Sequence, residues 1–197
     1  MGTVNDYNKD RLAFALESQK GLYYDESHDT LLLAKDGVFV NWEWVEIGDN
    51  VRILPGTTVG FKGFSWGFGK DQTPVEIRHK GGVVIEDNVE IGTNCNIARA
   101  TLEGVNTILE EHVKLDSGVH IAHNCRIGNR TIITAGVVFG GSVTVGERSW
   151  FGLNCTIMNG IKIGKNNLIG AGAVIRTDTK DNAVMYGDNK FLRFRDD

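Results

Sequence analysis

From Leu109 to Ile175 every sixth residue is Leu, Ile, Val or Phe: Leu109, Leu115, Ile121, Ile127, Ile133, Phe139, Val145, Phe151, Ile157, Ile163, Ile169 and Ile175. A period of six is neither the face of a helix nor a simple two-residue alternation, so it points to a repeat architecture. Two residues before each aliphatic position the side chain is mostly small or β-branched, as at Val113, Val119, Cys125, Thr131 and Val137. Residues i−2 and i of a strand point to the same side, so each hexad reads as a three-residue strand with two inward side chains. Three residues after the aliphatic position stand Gly118, Asn124, Gly136, Asn154, Gly160, Asn166 and Gly172, interrupted by Arg130, Ser142 and Arg148. Gly and Asn tolerate positive φ, so this position is a corner. Short strands alternating with corners describe a parallel β-helix. Three hexads close a triangular coil of about 18 residues, and stacked coils bury an aliphatic column that one coil alone cannot.

The 197 residues suffice for one domain with a real core, and 25 glycines against 2 prolines fit a fold of corners. A net charge of −4 with mixed signs gives no footprint for nucleic acid or an anionic membrane surface. No apolar run approaches the roughly 18 residues of a membrane span, and no signal peptide opens the chain, so the expected compartment is the cytoplasm. Cys95, Cys125 and Cys155 all fall at the small inward position. The last two are five hexads apart and belong to different faces of the triangle, so they read as small core residues rather than a disulfide or a metal site.

Residues 1–44 do not follow the repeat and read as an N-terminal cap over the open first coil. Within them Asp10 to Glu17 has the apolar content of a short helix, and Thr30 to Leu33 and Val38 to Val40 read as strands around a Lys35-Asp36-Gly37 turn. The repeat runs from 45 to 177, and residues 178–197 form a short tail over the last coil. A loop at 61–82 interrupts the repeat, with a smaller irregularity from Ala98 to Asn106. Loops of this length inside a compact fold are usually functional. Its Gly63, Phe64, Trp66, Gly67, Phe68 and Gly69 suit a flap that contacts a ligand or a neighbouring subunit, with Phe64 and Phe68 as candidate substrate contacts.

The densest polar cluster of the repeat is Asp116-Ser117-Gly118-Val119-His120-Ile121-Ala122-His123-Asn124. In the hexad register His120 points outward from a strand and His123 sits at the next corner. An exposed imidazole with a pKa near 6.5 suits a general base. Gly141, 18 residues on, occupies the same column one coil away, and Asn159 follows one coil further. A glycine permits close approach, and its fixed N–H can stabilise an oxyanion. A base beside an oxyanion donor is the equipment of acyl transfer.

The hexads resemble the left-handed β-helix of the hexapeptide acyltransferases; left-handedness here is what the resemblance implies. The stretch His120-Ile121-Ala122-His123-Asn124-Cys125-Arg126-Ile127-Gly128 resembles the active-site coil of the UDP-N-acetylglucosamine O-acyltransferases of lipid A synthesis. The Gly60 to Gly69 loop, the coil Val84 to Gly92 and Leu115-Asp116 are closer to UDP-3-O-acylglucosamine N-acyltransferase. The resemblance covers about residues 45 to 176. It implies His123 as general base, Gly141 as oxyanion donor and Asp116 as the group that orients base or acceptor. It implies His120 as a contact to substrate, and Asn124 at the corner of His123 and Asn159 in the column of His123 are further candidate substrate contacts. It further implies a homotrimer with sites between subunits, a nucleotide-sugar acceptor, and acyl-CoA or acyl carrier protein as thioester donor, with no permanently bound cofactor and no metal. The N-acyltransferase's second active-site histidine falls at Gly160, and its Asp-Arg-Gly stands here as Ala98-Arg99-Ala100. Some 44 irregular residues are few for its uridine-binding domain. A shorter acyl group and a different amino sugar are therefore expected.

Two other readings compete. One is a zinc enzyme like the carbonic anhydrases built on this helix, using His120 and His123 with His112 or His79. The other is a non-catalytic scaffold.

Overall fold

The computed structural model describes residues 22–25, 30–33, 37–41, 44–187 and 190–194, and among these the chain is a left-handed parallel β-helix. Six coils stack into three flat faces. Face A carries the strands Val45–Ile47, Gly82–Ile85, Asn106–Leu109, Arg126–Ile127, Thr144–Val145 and Lys162–Ile163. Face B runs from Arg52–Ile53 through Leu168–Ile169 and continues into Ala183–Tyr186 and Lys190–Phe194. Face C begins with Leu22–Asp25, Thr30–Leu33 and Val38–Val40 and runs from Thr58–Phe61 to Val174–Ile175.

The inward register follows the sixfold pattern without a slip. All twelve aliphatic positions from Leu109 to Ile175 are buried, as are the eleven positions two residues before them from Val113 to Ala173. Most strands are nevertheless two residues long, one fewer than the inward pair would give. The reason lies in the first inward residue: its N–H turns back into its own corner, as Thr131 N to Gly128 O (3.3 Å) and Cys155 N to Gly152 O (3.3 Å). Only its carbonyl joins the neighbouring coil, as Thr131 O accepts from Lys114 N at 3.0 Å. Where that inward residue is small and polar, its side chain reaches the next coil: Thr131 Oγ1 to Gly146 O (3.4 Å), Ser149 Oγ to Gly164 O (3.3 Å), Cys125 Sγ to Gly140 O (3.1 Å). All three cysteines are buried free thiols, and burial pushes those of Cys125 and Cys155 up to about 12.

Corners take left-handed backbone as the Gly/Asn pattern requires, and Arg130, Ser142 and Arg148 adopt it too, with φ of 56°, 63° and 59°. These three do not break the repeat. Each holds its conformation through a backbone bond to the coil before, as Ser142 N to His123 O at 2.8 Å. Such bonds offset the roughly 1–2 kcal/mol that a side chain loses at positive φ.

At the N-terminal end Thr30–Leu33 and Val38–Val40 pair antiparallel, and Val38–Val40 then joins Thr58–Phe61 in parallel, so these strands extend face C. The helix expected at Asp10 to Glu17 lies outside the described residues. At the other end Ala183–Tyr186 adds a further parallel rung to face B and hairpins into Lys190–Phe194. The tail thus continues the stack while covering it, with Val184 and Met185 buried. Among the described residues no helix is long and apolar enough to cross a membrane.

Candidate active site

Both interruptions of the repeat leave from one edge, where face C turns towards face A. The longer follows Thr58–Phe61 and the shorter follows Asn96–Ala98. The next strand up is His120–Ile121, and the corner after it holds His123; the same column then carries Gly141 and Asn159. The expected pairing is present. A Cβ built on Gly141 would lie nearest Cε1 of His123 and 2.6 Å from its Nε2, so the imidazole rests directly on the Gly141 backbone. Only glycine leaves room there.

The corner chemistry explains why an N–H is left over. In each corner the third residue after the aliphatic position donates back one coil, as Gly160 N does to Gly141 O at 2.9 Å. The residue just before it has no backbone acceptor in reach. At several other corners a carboxylate takes up that N–H: Glu86 Oε2 accepts from Glu111 N (3.1 Å), Glu110 Oε2 from Asn129 N (2.8 Å), Asp181 Oδ1 from Lys165 N (2.8 Å) and Asp116 Oδ1 from Ser117 N (2.7 Å), while those of Ala135, Glu147, Leu153 and Ala171 are left over. Along the edge of His123 the residues one step after the aliphatic position are Ala122, Gly140 and Met158, none of which carries a carboxylate. The N–H groups of His123, Gly141 and Asn159 accordingly make no hydrogen bond among the described residues. An N–H fixed by its coil and lacking an acceptor is suited to developing negative charge.

The long interruption does more than project outward. Its outer part is an antiparallel hairpin, Trp66–Phe68 with Pro74–Glu76. Its returning limb carries His79 back under the edge. His79 is 4 % exposed, and its ring stands edge-on to His123 with centroids 5.4 Å apart. Gly63 packs beside both: a Cβ there would lie 3.1 Å from Nε2 of His79 and 3.5 Å from Cδ2 of His123. Burial, then the neighbouring His123 and Arg99, push the pKa of His79 below the usual histidine value, against a smaller opposing pull from the Ile77 carbonyl and Glu76. Burial alone pushes His123 and His120 down. Neither nitrogen of His79 makes a hydrogen bond of normal geometry, and Nδ1 of His123 is likewise buried without a partner.

The other candidate residues are distributed as follows. His120 is half-buried on face C, beside the corner. Asn124 spends its amide on the shorter interruption: its Oδ1 accepts from Thr101 N at 2.8 Å, and its Nδ2 donates to Thr101 Oγ1 at 3.0 Å. Asn159 is exposed, its side chain folded over Gly140. Asp116 is exposed at the preceding corner, between faces B and C, so a single chain does not bring it to His123. Phe64 and Phe68 are 87 % and 75 % exposed in the long interruption. His112 stands at a corner of its own between faces A and B, with φ of 60°. No group of three or more His, Cys, Asp or Glu side chains among the described residues is arranged to hold a metal ion. Sequence reasoning gave His79 only a place in the zinc alternative. Its signal was position: it is the one imidazole of the long interruption, two residues before the Gly81-Gly82 pair that restarts the coil.

Residues 106–141 and 142–177 match the family model described as bacterial transferase hexapeptide (six repeats). Among curated proteins the chain is 41 % identical over 71 residues to the UDP-3-O-acylglucosamine N-acyltransferase of Sinorhizobium medicae, covering 36 % of this chain and 20 % of that protein. It is 43 % identical over 72 residues to UDP-3-O-acylglucosamine N-acyltransferase 2 of Legionella pneumophila, with the same coverage of 36 % and 20 %. The matched part is thus about a fifth of the length of these relatives. Among solved structures the fold is similar to LpxA from Acinetobacter baumannii, with a TM-score of 0.68 and 24 % identity over 77 % of this chain and 56 % of that one. The UDP-N-acetylglucosamine acyltransferase from Campylobacter jejuni gives a TM-score of 0.64 and 24 % identity over 80 % and 66 % of the two chains.

Proposed function

We propose that this chain, whose residues 106–177 match bacterial transferase hexapeptide repeats, transfers an acyl group from a thioester to the amino group of a nucleotide-linked amino sugar. The observation that carries the reading is the close fit of the His123 imidazole against Gly141, whose N–H has no acceptor among the described residues. Nε2 of His123 takes a proton from the acceptor amine as its nitrogen attacks the thioester carbonyl. The C–N bond forms, and the carbonyl oxygen becomes an oxyanion facing Gly141 N–H. Collapse breaks the C–S bond, and His123 returns its proton to the departing thiolate, leaving an amide and a free thiol. A burial-lowered pKa keeps the imidazole neutral and able to accept.

The amine acceptor is supported by the names of the relatives above, which act on UDP-3-O-acylglucosamine. The donor in this reading is acyl-CoA or acyl carrier protein, and the compartment is the cytoplasm, with lipopolysaccharide precursors as the product class. A homotrimer is part of the proposal: side by side, a neighbour's Asp116 and its Phe64 and Phe68 would approach the His123 edge from across the cleft. His120, Asn124 and Asn159 then line the near wall.

Acetyl-CoA offered with a panel of UDP- and dTDP-linked amino sugars tests this, with thiol release as readout. His123→Ala should cost about 10²–10⁴-fold in kcat, and an unchanged rate would remove the base. The acid limb of the kcat/KM profile should lie below the ordinary histidine value. The sign follows from the shift: the lowered pKa leaves His123 neutral to a lower pH, so activity fails only as pH falls through that lowered value.

A further inference from the structure

Burying an imidazole whose nitrogens lack partners costs stability, on the order of 1–3 kcal/mol per unmet group. A phenylalanine would fill the place of His79 without that cost. The long interruption nevertheless seats a histidine there, and against the one side chain the reaction reading depends on. The geometry around His123 says what its nitrogens are for. A Cβ on Gly141 would press on the Cε1–Nε2 part of the ring, while one on Gly63 would lie 3.5 Å from its Cδ2 and 3.1 Å from Nε2 of His79, whose ring centroid is 5.4 Å from that of His123. Nε2 is the ring atom between Cε1 and Cδ2. A nucleophile hydrogen-bonded to Nε2 therefore has the proposed oxyanion donor on one flank and His79 on the other.

We infer that His79 is a second catalytic imidazole, which hydrogen-bonds the nucleophilic amine of the acceptor beside His123. It holds the lone pair of that amine towards the thioester carbonyl while His123 removes the proton. Because the loop brings it, the site is assembled from the coil and the interruption together. Gly63 is part of the fit, since a larger residue would press on both rings. The inference rests on the acyl-transfer reading and adds to it a group that touches the acceptor rather than the thioester.

His79→Phe, His79→Asn and His123→Ala, assayed with acetyl-CoA and the same amino-sugar panel, separate the possibilities. His79→Phe keeps the aromatic bulk and should still lose about tenfold or more in kcat/KM for the acceptor, the worth of one hydrogen bond to the reacting group. Its KM for acetyl-CoA and its melting temperature should stay at or above wild type. His79→Asn, which keeps a side-chain donor and acceptor, should recover part of the loss. If His79→Phe turns over like wild type while His123→Ala is inactive, His79 is only a packing residue and the inference is overturned. If His123→Ala also retains its rate, the acyl-transfer reading falls with it.

Discussion

The coils from 106 to 177 and those from 45 to 105 are written in the same hexads, yet they are spent differently. In the later half each coil sits on the one before at a constant separation of 18 residues, and the buried column holds small residues such as Thr131, Ser149 and Asn167 among its aliphatic ones. In the earlier half the chain leaves the stack twice. Exposed apolar bulk follows those departures, in Phe64, Trp66, Phe68 and Leu102. Buried side-chain atoms without a hydrogen-bond partner among the described residues occur on both sides: Asn41 Oδ1 and both nitrogens of His79 towards the earlier half, His123 Nδ1 and Asn167 Oδ1 in the later. The regular half contributes the stable column and carries His123 and Gly141 on it, and the interrupted half brings the long loop and His79 to that edge. The polar cluster thus forms where a loop of one half meets a corner of the other.

Substitutions in the two halves should differ accordingly. The largest effect belongs to the regular half. Phe139 and Phe151 are fully buried with rings 5.0 Å apart, so Phe139→Ala should cost about 3–5 kcal/mol in denaturant unfolding. A loss below about 1 kcal/mol would mean that the column is not the main source of stability. The junction should respond less. Asn124→Gly keeps the positive φ of 61° but removes the amide that ties Thr101 down, and should cost about 1–2 kcal/mol. Hydrogen exchange at the Thr101 amide should quicken while amides of the later coils keep their protection. The smallest effect belongs to the hairpin: Lys62 and Glu76 form an exposed ion pair, and Glu76→Gln should leave the melting temperature where it was. A clear drop there would blur the division between the halves.

The architecture was readable because an inward aliphatic every six residues admits few folds, and the register it fixed holds to the last rung. Strand length was less readable. The backbone N–H that turns back at Thr131 and Cys155 leaves no trace in residue type. Nor did the corners at Arg130, Ser142 and Arg148, where hydrogen bonds to the coil before support left-handed backbone that side-chain preference would not choose. A neighbouring signal went unused: glycine directly after the aliphatic residue, as at Gly128, where a Cβ would meet Val145 O at 2.6 Å of the coil above. His123 and Gly141 were legible as a pair because repeat arithmetic places residues one coil apart in contact. His79 was not, because it lies in the looped-out segment, 44 positions before His123, and no periodicity relates the two. Asp116 shows the limit of local spacing: seven residues from His123, it belongs to a different corner of the triangle.

Val59, Ile97 and Ile121 stand directly above one another on face C, although 38 and then 24 residues separate these rungs. The ladder is blind to how much chain is looped out between two rungs, provided the ends return to the same edge. That edge therefore works as a socket. Segments of different length and chemistry can be exchanged there without altering the pitch of the spiral, so the surface around His123 can be rewritten while His123 and Gly141 stay put.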